Sequence, residues 1–309
     1  MADGGGVRAG RRPAVGIDQV TGSVGKYAFL IFFAALCLLP LVLIISTAVK
    51  DPTIARANPF ALFTSFRPQN IIDAWTLGGF ERYFFNTIVI TVPVMLGVVG
   101  LSITAGYALA RFEFPFRGVI FYAFVLGIMI PFFSMMIPLY YILRDTCAPE
   151  IGPFAAMQGR QCLLDTHLAV ILPSIAGANG AGLPLGIFLM RAFFADMPRD
   201  LSDAARVDGA SNWGVFRHVM LPLATPGAAA LAVFAFLQAW NTFLLPLIYM
   251  PGERNRTLAT GLLAFMGGRT RDVELIAAGS LFMVVPVIVF YLLFQRQFIQ
   301  GMTAGAVKS

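Results

Sequence analysis

Polar and apolar positions fall into long blocks along this chain, with little fine alternation. Six runs carry no charged side chain: residues 27–49, 86–110, 118–143, 168–190, 223–249 and 275–294. Each reaches the ~20 residues a helix needs to cross a ~30 Å hydrocarbon layer. Lipid offers no partner to a free backbone N–H or C=O, so each run predicts a helix. The expected fold class is all-α, a polytopic membrane protein with six transmembrane helices.

The polar blocks between the runs set the organisation. Residues 1–26 are rich in Gly and Arg and lack periodicity, which predicts an N-terminal tail before a first helix over 27–49. Residues 50–82 hold Pro52, Pro59 and Pro68 with several aromatics and predict an external loop. A five-helix core spans 83–297, interrupted by a polar segment at 191–222, and residues 298–309 form a C-terminal tail. Asn86 stands where it would cap the second helix. The first run is too long for the ~7–15-residue apolar stretch of a signal peptide, so a retained span is expected.

Composition agrees with this reading. The chain of 309 residues is 58% hydrophobic and 12% charged, against about 25% charged in soluble domains. The formal net charge of +6 comes from scattered Lys and Arg with no basic stripe, so no nucleic acid partner is expected. With the N-terminus inside, the internal segments hold 12 of the 22 Lys and Arg and the external ones 10, a bias too small to fix topology.

What is missing narrows the function. None of the six runs holds Asp, Glu, Lys, Arg or His, which argues against proton-coupled carriers and voltage sensors. Only Lys26, Lys50 and Lys308 are available as lysines, and none sits in a phosphate-binding loop. No nucleophile elbow, zinc-protease pair or paired carboxylate stands out. The chain carries neither an energy source nor a catalytic centre, so uphill transport would need a partner. A sodium-coupled secondary carrier of small neutral solutes remains the alternative, because backbone carbonyls can hold sodium.

Three cysteines add little. Cys37 lies inside the first run and reads as a small packing residue. Cys147 and Cys162 share the external segment 144–166 and could form a disulfide in an oxidising compartment or remain free thiols. A zinc site using Asp165 or His167 nearby fits no familiar spacing, and no metal is expected.

The segment 198–222 is the most polar stretch between two runs. In PRDLSDAARVDG, Asp200 is placed to cap a short helix, with Asp203 three residues on as in a capping box. Gly209 is placed at its C-terminal end, where a positive φ is needed. Ser211 then caps a second helix that Pro222 should end. Read from the residues alone, this hairpin docks a partner or lies on membrane lipid, with equal merit.

A resemblance separates the two. Asp203-Ala204-Ala205, then Gly209, then Val219-x-Leu221-Pro222 has the spacing of the EAA motif of ABC-importer permeases, with Asp for Glu and Val for Ile. AWNTFLLPLIYM (239–250) and QGMTAGAVKS (300–309) resemble further blocks of the carbohydrate permeases of maltose-transporter type. The resemblance implies an inner-membrane permease subunit with both termini in the cytoplasm, working by alternating access. Its partners would be a second homologous permease subunit, two ATPase subunits and an extracytoplasmic sugar-binding protein. It implies that ATP and Mg bind the ATPases and no cofactor binds this chain. The segment 191–222 would hold a cytoplasmic coupling helix, with Asp203, Ala204, Ala205, Asp208, Gly209, Leu221 and Pro222 facing the ATPase.

Uncharged spans suit a neutral, hydroxyl-rich solute. Candidate pathway groups are Trp240, Asn241, Gln238, Asn179 and Tyr140, with Asn86 a further one. The segment SIAGANGAGLPLG (174–186) interrupts its run with Gly and Pro, which suits a substrate route or close helix packing.

Overall fold

The computed structural model describes residues 17–145, 163–180, 182–266 and 272–306. Among these residues every regular element is helical. α1 (Ile17–Ala48) begins inside the segment expected to be a tail. The 50–82 loop contains two short helices, α2 (Pro52–Ala57) and α3 (Gln69–Thr76). α4 (Phe80–Arg111) starts six residues before Asn86, after Gly79 in the left-handed region at φ 72°. Asn86 is therefore inside a helix and caps nothing.

The apolar runs are real, but not all are single straight helices. Run 118–143 is split into α5 (Arg117–Ile128) and α6 (Phe132–Asp145), which meet at 101°. Pro131 explains the break, since the residue before a proline is pushed out of the helical region. Run 168–190 is split into α7 (Leu168–Ala176) and α8 (Gly182–Asp196). Gly177, Gly180 and Gly182 take φ of 104°, 95° and 42° there, which side chains rarely adopt. α7 and α8 have 9 and 15 residues, so neither half reaches across a bilayer alone.

After α8 come α9 (Asp200–Val207), α10 (Asn212–Val215), a π turn over Phe216–Met220 and α11 (Leu221–Leu223). α12 (Thr225–Trp240) leaves this unit at 70° through Ala224. Run 223–249 then turns at Asn241 and ends in α13 (Leu244–Tyr249). α14 (Leu258–Gly261) precedes the long α15 (Val273–Ala306), which covers most of the expected C-terminal tail. Three helices among the described residues are long and apolar enough to cross a membrane, or up to five spans if each bent pair is one crossing. The six expected runs thus appear as a mixture of whole and broken helices.

The two larger of three buried clusters among the described residues hold most of the fold. One gathers Ile90, Val98 and Tyr107 of α4 with Met190 and Phe194 of α8, Phe216 and Met220 of the π turn, and Leu231 of α12. The other packs Phe80 and Tyr83 against Phe236, Trp240 and Phe265, with α15 closing it. α4 and α8 approach closely at Gly106, where a Cβ would stand 2.7 Å from Met190 Cβ and 2.9 Å from the Arg191 amide nitrogen. Small residues allow such backbone approach inside membranes. α1 packs along α15, and its most apolar stretch has no buried residue. Cys37 is exposed on α1.

Candidate functional site

The polar segment forms a hairpin whose first arm projects and whose second arm is rooted in the core. α9 is built from DLSDAARV, with Asp200 and Asp203 in its first turn and Arg206 in its last, as the helix dipole favours. Its N-terminus differs from the sequence expectation. Arg199 is the N-cap position and is already helical at φ −68°, so Asp200 is the first helical residue and caps nothing. Pro198 presets the φ that starts the helix, and the Ser202 hydroxyl donates to the Arg199 carbonyl at 2.7 Å. Asp203 makes no capping box. It accepts from Arg206 at 3.1 Å on the exposed face.

The C-terminus of α9 follows the glycine signal. Gly209 sits at φ 88°. The Ala210 N–H donates to Ala205 O at 3.0 Å and the Gly209 N–H to Arg206 O at 3.0 Å. This is the Schellman pair, which needs a left-handed residue between its two bonds. Ser211 caps the next helix, accepting from the Gly214 N–H at 3.2 Å. That helix does not stop at Pro222. The π turn shifts the bonding, so that Leu221 N–H reaches Phe216 O, and the helix continues to Leu223. A wider turn absorbs the donor that proline lacks, a usual site for π geometry.

Burial divides the motif. Asp203, Ala204, Asp208, Gly209 and Pro222 are exposed, while Ala205 and Leu221 are half-buried against the core. Val207 is 89% exposed and Trp213 63%, so the hairpin offers apolar groups outward as well as charge. Val215, Phe216 and Met220 are buried and anchor the second arm. A groove of about 590 Å³ opens at the root between α8 and α12, walled by Phe193, Met197, Leu201, Leu223, Gly227 and Phe234.

The hairpin is tied to α4 by two residues that sequence reading did not single out. The Tyr107 ring lies 5.3 Å from Phe194, 4.8 Å from Phe216 and 5.6 Å from Phe112, centroid to centroid. One helical turn on, Arg111 Nη2 donates to Met197 O at 2.7 Å. The i, i+4 spacing at the end of an apolar run was the available signal.

The expected pathway residues do not converge. Trp240 is 3% exposed, stacked with Phe236, and its indole N–H donates to Met283 O at 3.0 Å. In this conformation it is a packing residue, because its one donor already has a partner. Asn241 is exposed and donates back to Leu237 O at 2.9 Å, closing α12. Gln238 is exposed on α12 and Tyr140 half-buried on α6. Asn179 differs from these. It sits in the α7–α8 break with a buried Oδ1 that has no hydrogen-bond partner among the described residues. Cys147 and Cys162 lie outside the described residues.

Asn86 and the Asp165–His167 turn form a separate polar node. Asn86 Nδ2 donates to Arg254 O at 2.8 Å and Arg256 O at 2.9 Å. That leaves its Oδ1 as acceptor for His167 Nε2 at 3.1 Å, which sets the tautomer. Burial holds the His167 pKa below its usual value, with Asp165 opposing. Asp165 takes φ 58° and is bonded by the Gly252 N–H at 2.9 Å and by Asn255 Nδ2 at 2.5 Å. These two side chains are thus committed to loop closure. In the 50–82 segment Lys50 is fully buried, donating to Pro59 O at 2.8 Å, and its desolvation lowers its pKa.

The described residues thus form a helical chain with long apolar helices, broken apolar runs and a rooted polar hairpin. Residues 99–302 match the family described as binding-protein-dependent transport system inner membrane component, and the chain belongs to that family. It is a multi-pass membrane permease subunit of an ABC importer that depends on a binding protein, and it is not an enzyme. It is 32% identical over 285 residues to the diacetylchitobiose uptake system permease protein NgcG of Streptomyces coelicolor, covering 92% of this chain and 88% of the relative. It is 32% identical to the arabinooligosaccharides transport system permease protein AraQ of Halalkalibacterium halodurans, over 91% and 94% of the two chains. The trehalose transport system permease protein SugB of Mycobacterium tuberculosis is 37% identical, over 74% and 77%. In fold, the chain matches a crystal structure of a bacterial ABC transporter involved in alginate import, with TM-score 0.72, 20% identity, and coverage of 93% and 100%. The findings give the sodium-coupled carrier no support.

Proposed function

We propose that this chain forms half of the translocation pathway of an ATP-driven carbohydrate importer. A second homologous permease supplies the other half, and two ATPase subunits bind ATP and Mg on the cytoplasmic side. The carbohydrate assignment rests on relatives named for saccharide uptake that cover most of the chain. The observation that carries the coupling role is the Schellman-closed turn at Gly209. It fixes an exposed arm bearing Asp203, Ala204 and Asp208 on a buried root. Such an arm is held out from the core without strain at any side chain, because glycine takes the left-handed position.

In this reading the hairpin at 198–222 and both termini lie in the cytoplasm. ATP binding closes the ATPases, moves the hairpin and rocks the spans outward-open, and a binding protein loads the solute from outside. The arm transmits work only if its contacts differ in the two states. Asp203 exchanges its internal Arg206 partner for a basic group of the ATPase. Asn179 Oδ1, without a partner among the described residues, is the best placed of the candidate pathway groups to accept from a sugar hydroxyl.

The test is co-purification and uptake with the four-subunit assembly. Gly209→Asp and Asp203→Lys are expected to release the ATPase or to uncouple hydrolysis from uptake of a labelled disaccharide. Uptake by this chain without ATPases, unaffected by either substitution, would refute the reading.

A further inference from the structure

The two ends of α4 are built differently from its middle, and each end is fastened to a different part of the fold. At one end Asn86 is stitched to Arg254, Arg256 and His167. At the other, Tyr107 and Arg111 reach the hairpin. The 26 residues from Asn86 to Arg111 span about 38 Å of helix, the reach of a bilayer crossing. Between them α4 is locked to α8, where Gly106 meets the backbone at Met190 and Arg191.

We propose that Tyr107 and Arg111 are positioning residues that transmit movement of the 198–222 hairpin into α4. Three observations carry this. Tyr107 is 5% exposed and its ring contacts both α8, at Phe194, and the first residue of the π turn, Phe216. Arg111 holds Met197 O, the carbonyl just before the hairpin begins at Pro198, so the entry to α9 cannot move without α4. A cavity of about 270 Å³ lies beside the contact, lined by Thr104, Tyr107, Phe112, Asn212, Trp213 and Phe216. It gives the Trp213–Phe216 pair, 5.3 Å apart, room to shift against Tyr107.

The chemistry separates two tasks. The exposed arm of α9 holds the ATPase; the buried contact passes its displacement on. A large flat ring packed among Phe112, Phe194 and Phe216 resists shear from several sides, whereas an alanine there would leave a void that lets the hairpin move alone. The guanidinium provides a charge-assisted bond to Met197 O, stronger than a neutral one. A lysine retains the charge and one bond but loses the planar fork.

This inference rests on the reading of 198–222 as the ATPase contact, and the experiment keeps the two apart. The complete importer is reconstituted in lipid vesicles with Tyr107→Ala, Tyr107→Phe, Arg111→Ala, Arg111→Lys and Gly209→Asp. ATPase retention, hydrolysis stimulated by the binding protein, and solute taken up per ATP are measured. Tyr107→Ala and Arg111→Ala are expected to keep the ATPase bound and hydrolysing, while uptake per ATP falls at least about fivefold, the low end of coupling between sites. Tyr107→Phe is expected to match wild type and Arg111→Lys to fall between. Loss of ATPase binding in the alanine variants, or unchanged uptake per ATP, would overturn the proposal. Should Tyr107→Ala fail to insert, Arg111→Ala against Arg111→Lys decides alone. If Gly209→Asp leaves ATPase binding and uptake unchanged, it is the underlying hairpin reading that has failed.

Discussion

His167 Nε2 stands 3.1 Å from Asn86 Oδ1 and joins a turn to a helix 81 residues away in sequence. The half-buried imidazole is neutral by preference, since burial lowers its pKa against the pull of Asp165. The unfolded chain takes up this proton more readily than the folded one. Stability from the neutral ring is therefore complete above about pH 6.5 and is lost as the pH falls through the lower folded value. Thermal melts of the detergent-solubilised protein should show a midpoint that drops from pH 7 to pH 5. His167→Gln is expected to flatten that part of the profile; an unchanged slope would remove His167 as its source.

Gly209 and Gly106 fail differently when a side chain is added. At Gly209 a Cβ meets nothing within 4 Å, so Gly209→Ala loses only the left-handed backbone, worth about 1–2 kcal/mol locally. The midpoint of the isolated chain should move little if α9 unfolds independently of the core. Amide exchange at Gly209 and Ala210 should rise, and Gly209→Asn should restore much of the protection. Unaltered exchange in Gly209→Ala would show that the turn does not depend on glycine.

At Gly106 the obstacle is backbone. Gly106→Leu must separate α4 from α8, and overpacking of this kind costs about 1–3 kcal/mol. Gly100 is the control, because its Cβ would meet nothing within 4 Å. Gly100→Ala should be neutral or stabilising by up to about 1 kcal/mol, as in other helix interiors. Equal melting midpoints for Gly106→Leu and wild type would contradict the close approach.

Asn179 and Trp240 test the pathway. Asn179→Leu is expected to reduce solute uptake several-fold with ATPase binding intact, because its buried oxygen has no partner among the described residues. Trp240→Phe keeps the stack with Phe236 but frees Met283 O, so it should lower stability by about 1 kcal/mol and leave solute affinity unchanged. The opposite pattern, affinity moving with Trp240 and not with Asn179, would return Trp240 to the route.

The sequence by itself determined where apolar helix must occur, because lipid forces backbone bonding to be local. It also determined the turn at Gly209 and the cap at Ser211, whose causes lie within five residues. The spacing from Asp203 to Pro222 carried the resemblance to importer permeases for the same reason. Only the tertiary structure decided which runs are straight. Pro131 and the glycines at 177, 180 and 182 break their helices, whereas Pro40, Pro93 and Pro286 sit inside long ones. The residue type is the same at all four sites, so proline alone does not say which run breaks. The same holds for Trp240, whose indole partner lies 43 residues away, and for Asn86, whose partners begin 81 residues on. A side chain's polarity is local information; whether its hydrogen bond is already made is not.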